Sequence, residues 1–227
     1  MFRRRHDYWP MPGPFLMALA VIASVCVALI LFGAVSYAYR RIGLDQHWLI
    51  AALVGSILGS RVNIPVAHFP DRVRHEQREV VAFGIRYRVP VVTHTGTTVL
   101  AVNVGGAVIP TILATYLTVH NHLWVPALVT SLAVGVVVHL IARPVPGVGI
   151  VVPTFVPPIV AAIAAVLAST HAVAAVAYIC GTMGTLFGAD VSNIGKIRDL
   201  GAPVASIGGA GTFDGIFLTG VLAVVLA

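Results

Sequence analysis

Acidic side chains are scarce in this chain, with 8 Asp and Glu among 227 residues, and charged residues of either sign make up 10%. An ordinary soluble domain carries about 25%. With 58% hydrophobic residues beside that shortage, the composition predicts a polytopic membrane protein rather than a water-soluble globule. Cysteine is nearly absent: Cys26 and Cys180 each sit in an apolar run, match no metal or redox spacing, and read as small core residues. There is no phosphate loop, no dinucleotide fingerprint and no serine or cysteine triad spacing, so no cofactor is called for. His120 and His122 flank Asn121 with too few neighbours of their kind to make a metal site. The formal charge of +6 does not indicate a nucleic-acid partner. The basic residues are almost all Arg and lie between apolar stretches rather than along one polar face, which suits orientation in a lipid bilayer.

What is abundant is apolar sequence. A spanning helix needs about 20 mostly apolar residues, and that ruler divides the chain into seven candidate spans: Pro14 to Tyr39, a short one from His47 to Ser60, Gly105 to Val119, Trp124 to Ala142, Val151 to Ser169, Ala172 to Ala189, and Gly209 to Ala227. The expected class is therefore an all-α polytopic membrane protein, one integral domain over 1–227. The first span follows Arg3, Arg4 and Arg5 but is too long for a secretory signal, and reads as an anchor. With the N-terminus cytoplasmic and all seven spans crossing, 12 of the 14 basic residues fall inside and only Arg40 and Arg41 outside. The positive-inside bias selects that orientation, in a bacterial or archaeal inner membrane with the C-terminus external. Trp9, Trp48 and Trp124 mark span ends as interfacial anchors.

The cytoplasmic loop 61–104 is basic, and part of it is strand-like. From Val80 to Val92, Phe83, Ile85, Tyr87 and Val89 alternate with Gly84, Arg86 and Arg88. The turn-forming run Thr93 to Gly96 then leads to a second strand-like stretch, Thr97 to Val104, which predicts a β-hairpin capping the bundle. The free edges of such a ribbon also suit strand addition to an extended peptide.

Two stretches resemble each other: Gly106 to Leu113 and Gly149 to Val156 each run from Gly through apolar residues to Pro-Thr, with Pro110 and Pro153 in matching places. Paired interruptions of this kind are a mark of discontinuous transporter helices. Ordinary helix starts produce the same pattern, since Pro is favoured in a first turn. Pro157 and Pro158 add to the expectation of irregular backbone in the fifth span. With Asn103, these four prolines are the candidates for a substrate or ion path.

Two acids stand against apolar runs, Asp190 at the end of the sixth span and Asp214 at the start of the seventh. A carboxylate at membrane depth is costly and usually functional. The orientation above places both on the cytoplasmic side. Gly188, Asn193, Gly209, Gly211, Phe213 and Gly215 surround them as candidate supporting residues, the glycines allowing close backbone approach. Two carboxylates a few ångströms apart do not both ionise easily, so one retains a proton. That is the state an aspartyl hydrolase uses, with one oxygen activating water and a proton ready for the amide carbonyl.

The segments FGIRYRVPV, VNVGGAVIPT, GADVSN and GGAGTFDGIFLTG resemble a bacterial and archaeal membrane family catalogued as domain of unknown function 1614. That likeness covers most of the chain and implies no activity. Locally, an acid late in one span and a glycine-rich acid opening the next resemble presenilin-like intramembrane aspartyl proteases and prepilin peptidases. Asp190 matches the first acid and Asp214 the second, with Gly209 and Gly211 five and three residues before it. The resemblance implies a candidate intramembrane aspartyl protease acting on a membrane-anchored peptide. A proton- or sodium-coupled transporter or channel uses the same acids differently, needing only one of them, with Asn103, Ser192 and Asn193 joining the path of a small cation. In a third reading the chain is a non-catalytic membrane scaffold whose acids pair with Lys196 or Arg198. His139, inside the fourth span, bonds across helices or relays protons.

Overall fold

The computed structural model describes residues 13–70, 79–82, 85–88, 97–145, 149–168, 171–199, 204–209 and 215–227. Among these residues seven α-helices follow the seven apolar runs: α1 Gly13–Arg41, α2 Gln46–Gly59, α3 Ile109–His120, α4 Trp124–Ile141, α5 Val156–Ala168, α6 Val173–Thr185 and α7 Gly215–Leu226. Among the described residues two helical stretches are long and apolar enough to cross a membrane, Trp124–Ile141 and Val173–Lys196, the latter continuing α6 beyond its α-helical part.

The helix α6 is the axis of the bundle. It packs against α3, α4, α5 and α7. Small residues make that possible. At Gly181 an added Cβ would stand 3.2 Å from the Thr219 carbonyl oxygen of α7, and at Gly184 it would stand 2.7 Å from the Val134 side chain of α4. Just beyond, at Gly188, it would stand 2.4 Å from the Gly135 carbonyl oxygen. Close backbone crossings of this kind are how helices associate where no hydrophobic effect drives them together. The outer helices show the opposite chemistry. On α4, Val125, Leu128, Leu132, Val136 and Leu140 form one stripe and are 53–76% exposed, and Ile159, Ile163 and Leu167 form an exposed stripe on α5. Soluble monomers rarely expose a contiguous apolar surface beyond a few hundred Å². At one end, Arg41 of α1 donates from Nη1 to the Val224 carbonyl near the C-terminus of α7 at 3.2 Å, where a cation suits the helix dipole.

At the opposite end lies a sheet that the sequence pattern misassigns. The strand β4, Thr97–Asn103, does not pair with the alternating run before it. It lies between β1, Asn63–Pro70, which it meets antiparallel, and β7, Val204–Ile207, which it meets parallel. The alternating run contains β2, Glu79–Ala82, and β3, Ile85–Arg88, which pair with each other. The expected turn at Thr93 to Gly96 lies outside the described residues. The physical reason for the difference is burial: Thr98, Leu100, Ala101 and Asn103 are buried, so β4 has the surroundings of a central strand. A second ribbon joins β5, Arg143–Val145, to β6, Gly149–Val151.

The prolines also differ from expectation. Pro157 and Pro158 do not interrupt a helix, because α5 begins at Val156 and both fall in its first turn, where an N–H has no intrahelical partner anyway. The residues assigned to the start of the fifth span form β6 and a short connection through Pro153 instead. The two Gly-to-Pro-Thr stretches therefore adopt different structures. Gly106 lies in a π turn, Val104–Val108, that runs directly into α3, whereas Gly149 lies in β6.

Candidate functional site

The expected site gathers at the sheet end of the bundle, around two wide helical turns. The first π turn, Val104–Val108, has its Ile109 N–H reaching back to the Val104 carbonyl. Pro110 follows in α3, has no N–H to give, and crowds the carbonyl four residues before it; a wider turn just upstream accommodates both. The second π turn, Leu186–Asp190, continues α6, with the Val191 N–H bonded to the Leu186 carbonyl five residues back. Such insertions recur at functional sites. Asp190 is the last residue of that turn.

Each π turn is held by a fully buried asparagine. Asn103 accepts the Gly106 N–H at 2.8 Å through Oδ1, and its Nδ2 donates to the Ser60 carbonyl at 2.7 Å and to Asn63 Oδ1 at 3.0 Å. Asn193 donates from Nδ2 to the Ala189 carbonyl at 2.9 Å and the Gly188 carbonyl at 3.2 Å, while its Oδ1 accepts Lys196 Nζ at 2.7 Å. Both side chains are committed to backbone and neighbours. They hold the backbone of the two π turns in place. Ser192 donates to the Gly188 carbonyl at 2.7 Å, and His139 Nδ1 lies 2.7 Å from the same Ser192 oxygen. The one serine proton is thus in use. Hydrogen-bond bookkeeping therefore makes His139 the donor through Nδ1–H, and the imidazole is tied across helices to the segment that carries Asp190.

Three elements meet at Asp190. Its Oδ2 accepts the N–H of Gly208 at 2.8 Å. A bond from backbone N–H to a carboxylate is of the stronger, charge-assisted kind. Gly208 and Gly209 have φ of +82° and +76°, successive left-handed residues that only glycine adopts freely. The parallel pairing of β7 with β4 delivers Gly208 to the first π turn, where an added Cβ would stand 2.6 Å from the Ala107 nitrogen and Cβ. Ala107, Leu186 and Ile216 form one buried cluster, so the start of α7 is anchored at the same place.

The structure thus brings Asp190, Gly188, Asn193 and Gly209 together, with Gly215 opening α7 nearby in the chain. Asp214, Gly211 and Phe213 lie outside the described residues. Asn103 and Pro110 belong to the first π turn and its helix; Pro153, Pro157 and Pro158 belong to the start of α5. Gly208 was not among the sequence candidates, although the Gly208-Gly209 pair is the kind of dipeptide that marks a special turn. Also unanticipated are the hydroxyls of Tyr178, Thr182 and Thr185 buried inside α6, where that of Tyr178 lies within hydrogen-bonding reach of Thr182 and of Tyr39 on α1. Among the described residues no three His, Cys, Asp or Glu side chains group closely enough to hold a metal ion.

A family model described as "Protein of unknown function (DUF1614)" matches residues 57–226, and the chain belongs to that family. No curated protein and no solved structure matches it.

Proposed function

We propose that the chain is an integral membrane protein of seven spans, with the N-terminus cytoplasmic, in which Asp190 and Asp214 form a pair that hydrolyses peptide bonds of membrane-anchored substrates. The apolar outer stripe of α4 and α5 supports the bilayer part of this reading, as do exposed Trp48 and Trp124 at the starts of α2 and α4, where interfacial anchors belong. The observation that carries the hydrolytic part is how the chain is held on either side of Asp214. Gly208, six residues before it, is bonded to Asp190, and Ile216, two residues after it, is packed on Leu186 of the same π turn.

In this mechanism one carboxylate takes a proton from water as the water oxygen attacks the amide carbon. The other, protonated, donates to the carbonyl oxygen. The proton taken from water then passes to the departing amine as the carbon–nitrogen bond breaks, and the proton on the former carbonyl oxygen returns to the other carboxylate as the C=O re-forms. The test uses purified wild-type, Asp190→Asn and Asp214→Asn proteins in liposomes with a panel of fluorogenic membrane-anchored peptides. Each substitution removes one half of an acid–base pair, a loss of about 10²–10⁴-fold in rate. Cleavage unchanged by either substitution overturns the proposal.

A second reading, a proton- or sodium-coupled transporter or channel working through Asp190, draws support from the polar side chains of Tyr178, Thr182 and Thr185 buried inside α6. The two diverge at Asp214. Ion flux that survives Asp214→Asn but not Asp190→Asn favours transport.

A further inference from the structure

The helix α5 is short for a span. Its exposed apolar stripe starts at Phe155, whose carbonyl accepts the Ile159 N–H at 3.4 Å, and runs through Ile159, Ile163 and Val166 to Leu167. Twelve steps of helix cover about 18 Å, against about 30 Å of hydrocarbon in an ordinary bilayer. Such a stripe is accommodated by basic side chains that snorkel from its ends, by association with another helix, or by thinning of the bilayer beside it.

The first two are not open to α5. No Lys or Arg stands between Arg143 and Lys196, so no long cation flanking the helix reaches out to a headgroup. Helices that associate in lipid meet through small residues. Those of α5, Ala161, Ala162 and Ala165, are buried inside the bundle, and the outer face carries Phe, Ile, Val and Leu. That face suits acyl chains.

Where the stripe stops bears on Asp190. The helices α5 and α6 have 13 residues each and pack side by side, running in opposite directions from the connection 169–172. Cys180 Sγ stands 3.4 Å from the Ala161 carbonyl, and these residues lie five positions from the end of α6 and five from the start of α5. Val156 is therefore level with Thr185. The π turn Leu186–Asp190 continues past that level, where α5 has given way to β6, which lies against the turn and pairs with the strand that opens on exposed Arg143.

We infer that lipid packs on the α5 flank as a locally thinned bilayer, which brings headgroups and water to the level of Asp190. The inference rests on the membrane reading above and holds whether the acid hydrolyses peptides or carries an ion. Water then reaches the acid from the flank, with no channel through the bundle.

Nitroxide depth measurements test it. In a Cys26→Ala background, with Cys180 buried, Phe155→Cys, Leu167→Cys and, at the middle of α4, Leu132→Cys each carry a spin label in dioleoylphosphatidylcholine vesicles. Oxygen concentrates in hydrocarbon and a nickel chelate stays in water, so the ratio of their collision rates reads depth. Labels at 155 and 167 are both expected to meet the chelate several-fold more often than the label at 132. A bilayer of ordinary thickness would instead bury at least one of them by about 6 Å or more. Oxygen preference at 155 or 167 as well as at 132 overturns the inference and leaves the membrane reading standing. Chelate preference at all three positions overturns the membrane reading, and the inference with it. The unsubstituted chain supplies a second measure: its thermal midpoint is expected to be higher in fourteen-carbon than in twenty-two-carbon phosphatidylcholine vesicles. A midpoint equal or higher in the longer lipid overturns the inference.

Discussion

Replacing Gly208 by alanine separates two costs that coincide at this residue. The first is conformational: at φ +82° an L-residue is in the left-handed region, which costs about 1–2 kcal/mol. The second is steric, because the new methyl would stand 2.6 Å from the Ala107 nitrogen and 2.8 Å from the Gly106 carbonyl carbon. Forcing a methyl into a packed site costs about 1–3 kcal/mol more. The first cost can be measured alone at Gly43, which has φ +85° and nothing within 4 Å of an added Cβ. Gly43→Ala is therefore expected to destabilise by about 1–2 kcal/mol and Gly208→Ala by about 2–5 kcal/mol. At about 2–4 °C per kcal/mol for a chain of this size, the melting midpoints fall by about 2–8 °C and about 4–20 °C. The assay is thermal unfolding in micelles, in a Cys26→Ala background because Cys26 is exposed, read through reaction of buried Cys180 with a thiol-reactive fluorophore. Equal shifts in the two variants would show that Gly208 is not pressed on the first π turn, and the meeting of three elements at Asp190 would fall with it.

Two further outcomes follow from the buried polar groups. Asn103→Leu leaves the Gly106 N–H without its side-chain acceptor and takes one donor from the Ser60 carbonyl, at about 1–3 kcal/mol for each group stranded; a midpoint within 1 °C of wild type would contradict the capping role. His139 is expected to carry its proton on Nδ1 when neutral, since Ser192 spends its own on Gly188. Ring nitrogen shifts in ¹⁵N-histidine-labelled protein report this directly, and a predominant Nε2–H form would refute the assignment.

The helices were legible because each is an apolar run interrupted by polar residues, as with the Arg40-Arg41 pair that closes α1. Strand partners were not. The strand β4 pairs across the whole of 71–96 to reach β1 and, a hundred residues onward, meets β7, and local alternation carries no information about such distant neighbours. The prolines misled for a different reason. A ruler of about 20 residues stretched the fifth span back to Val151, which placed Pro157 and Pro158 inside a helix they in fact begin. Asp190 could be singled out from charge scarcity alone. Its bond to Gly208 could not, because that depends on a parallel strand pairing and on a π turn, and neither has a residue code.

The pairing of β7 with β4, followed by α7 on α6, also fixes an order of assembly. Among the described helices α7 is the last to be synthesised, yet it covers the face of α6 that bears Thr182. At about 5–20 residues per second, the roughly 30 residues between Lys196 and the end of α7 take about 1.5–6 s to emerge. Until then the face of α6 that bears Thr182 stands uncovered, the interval in which a chaperone or a neighbouring chain has access to it.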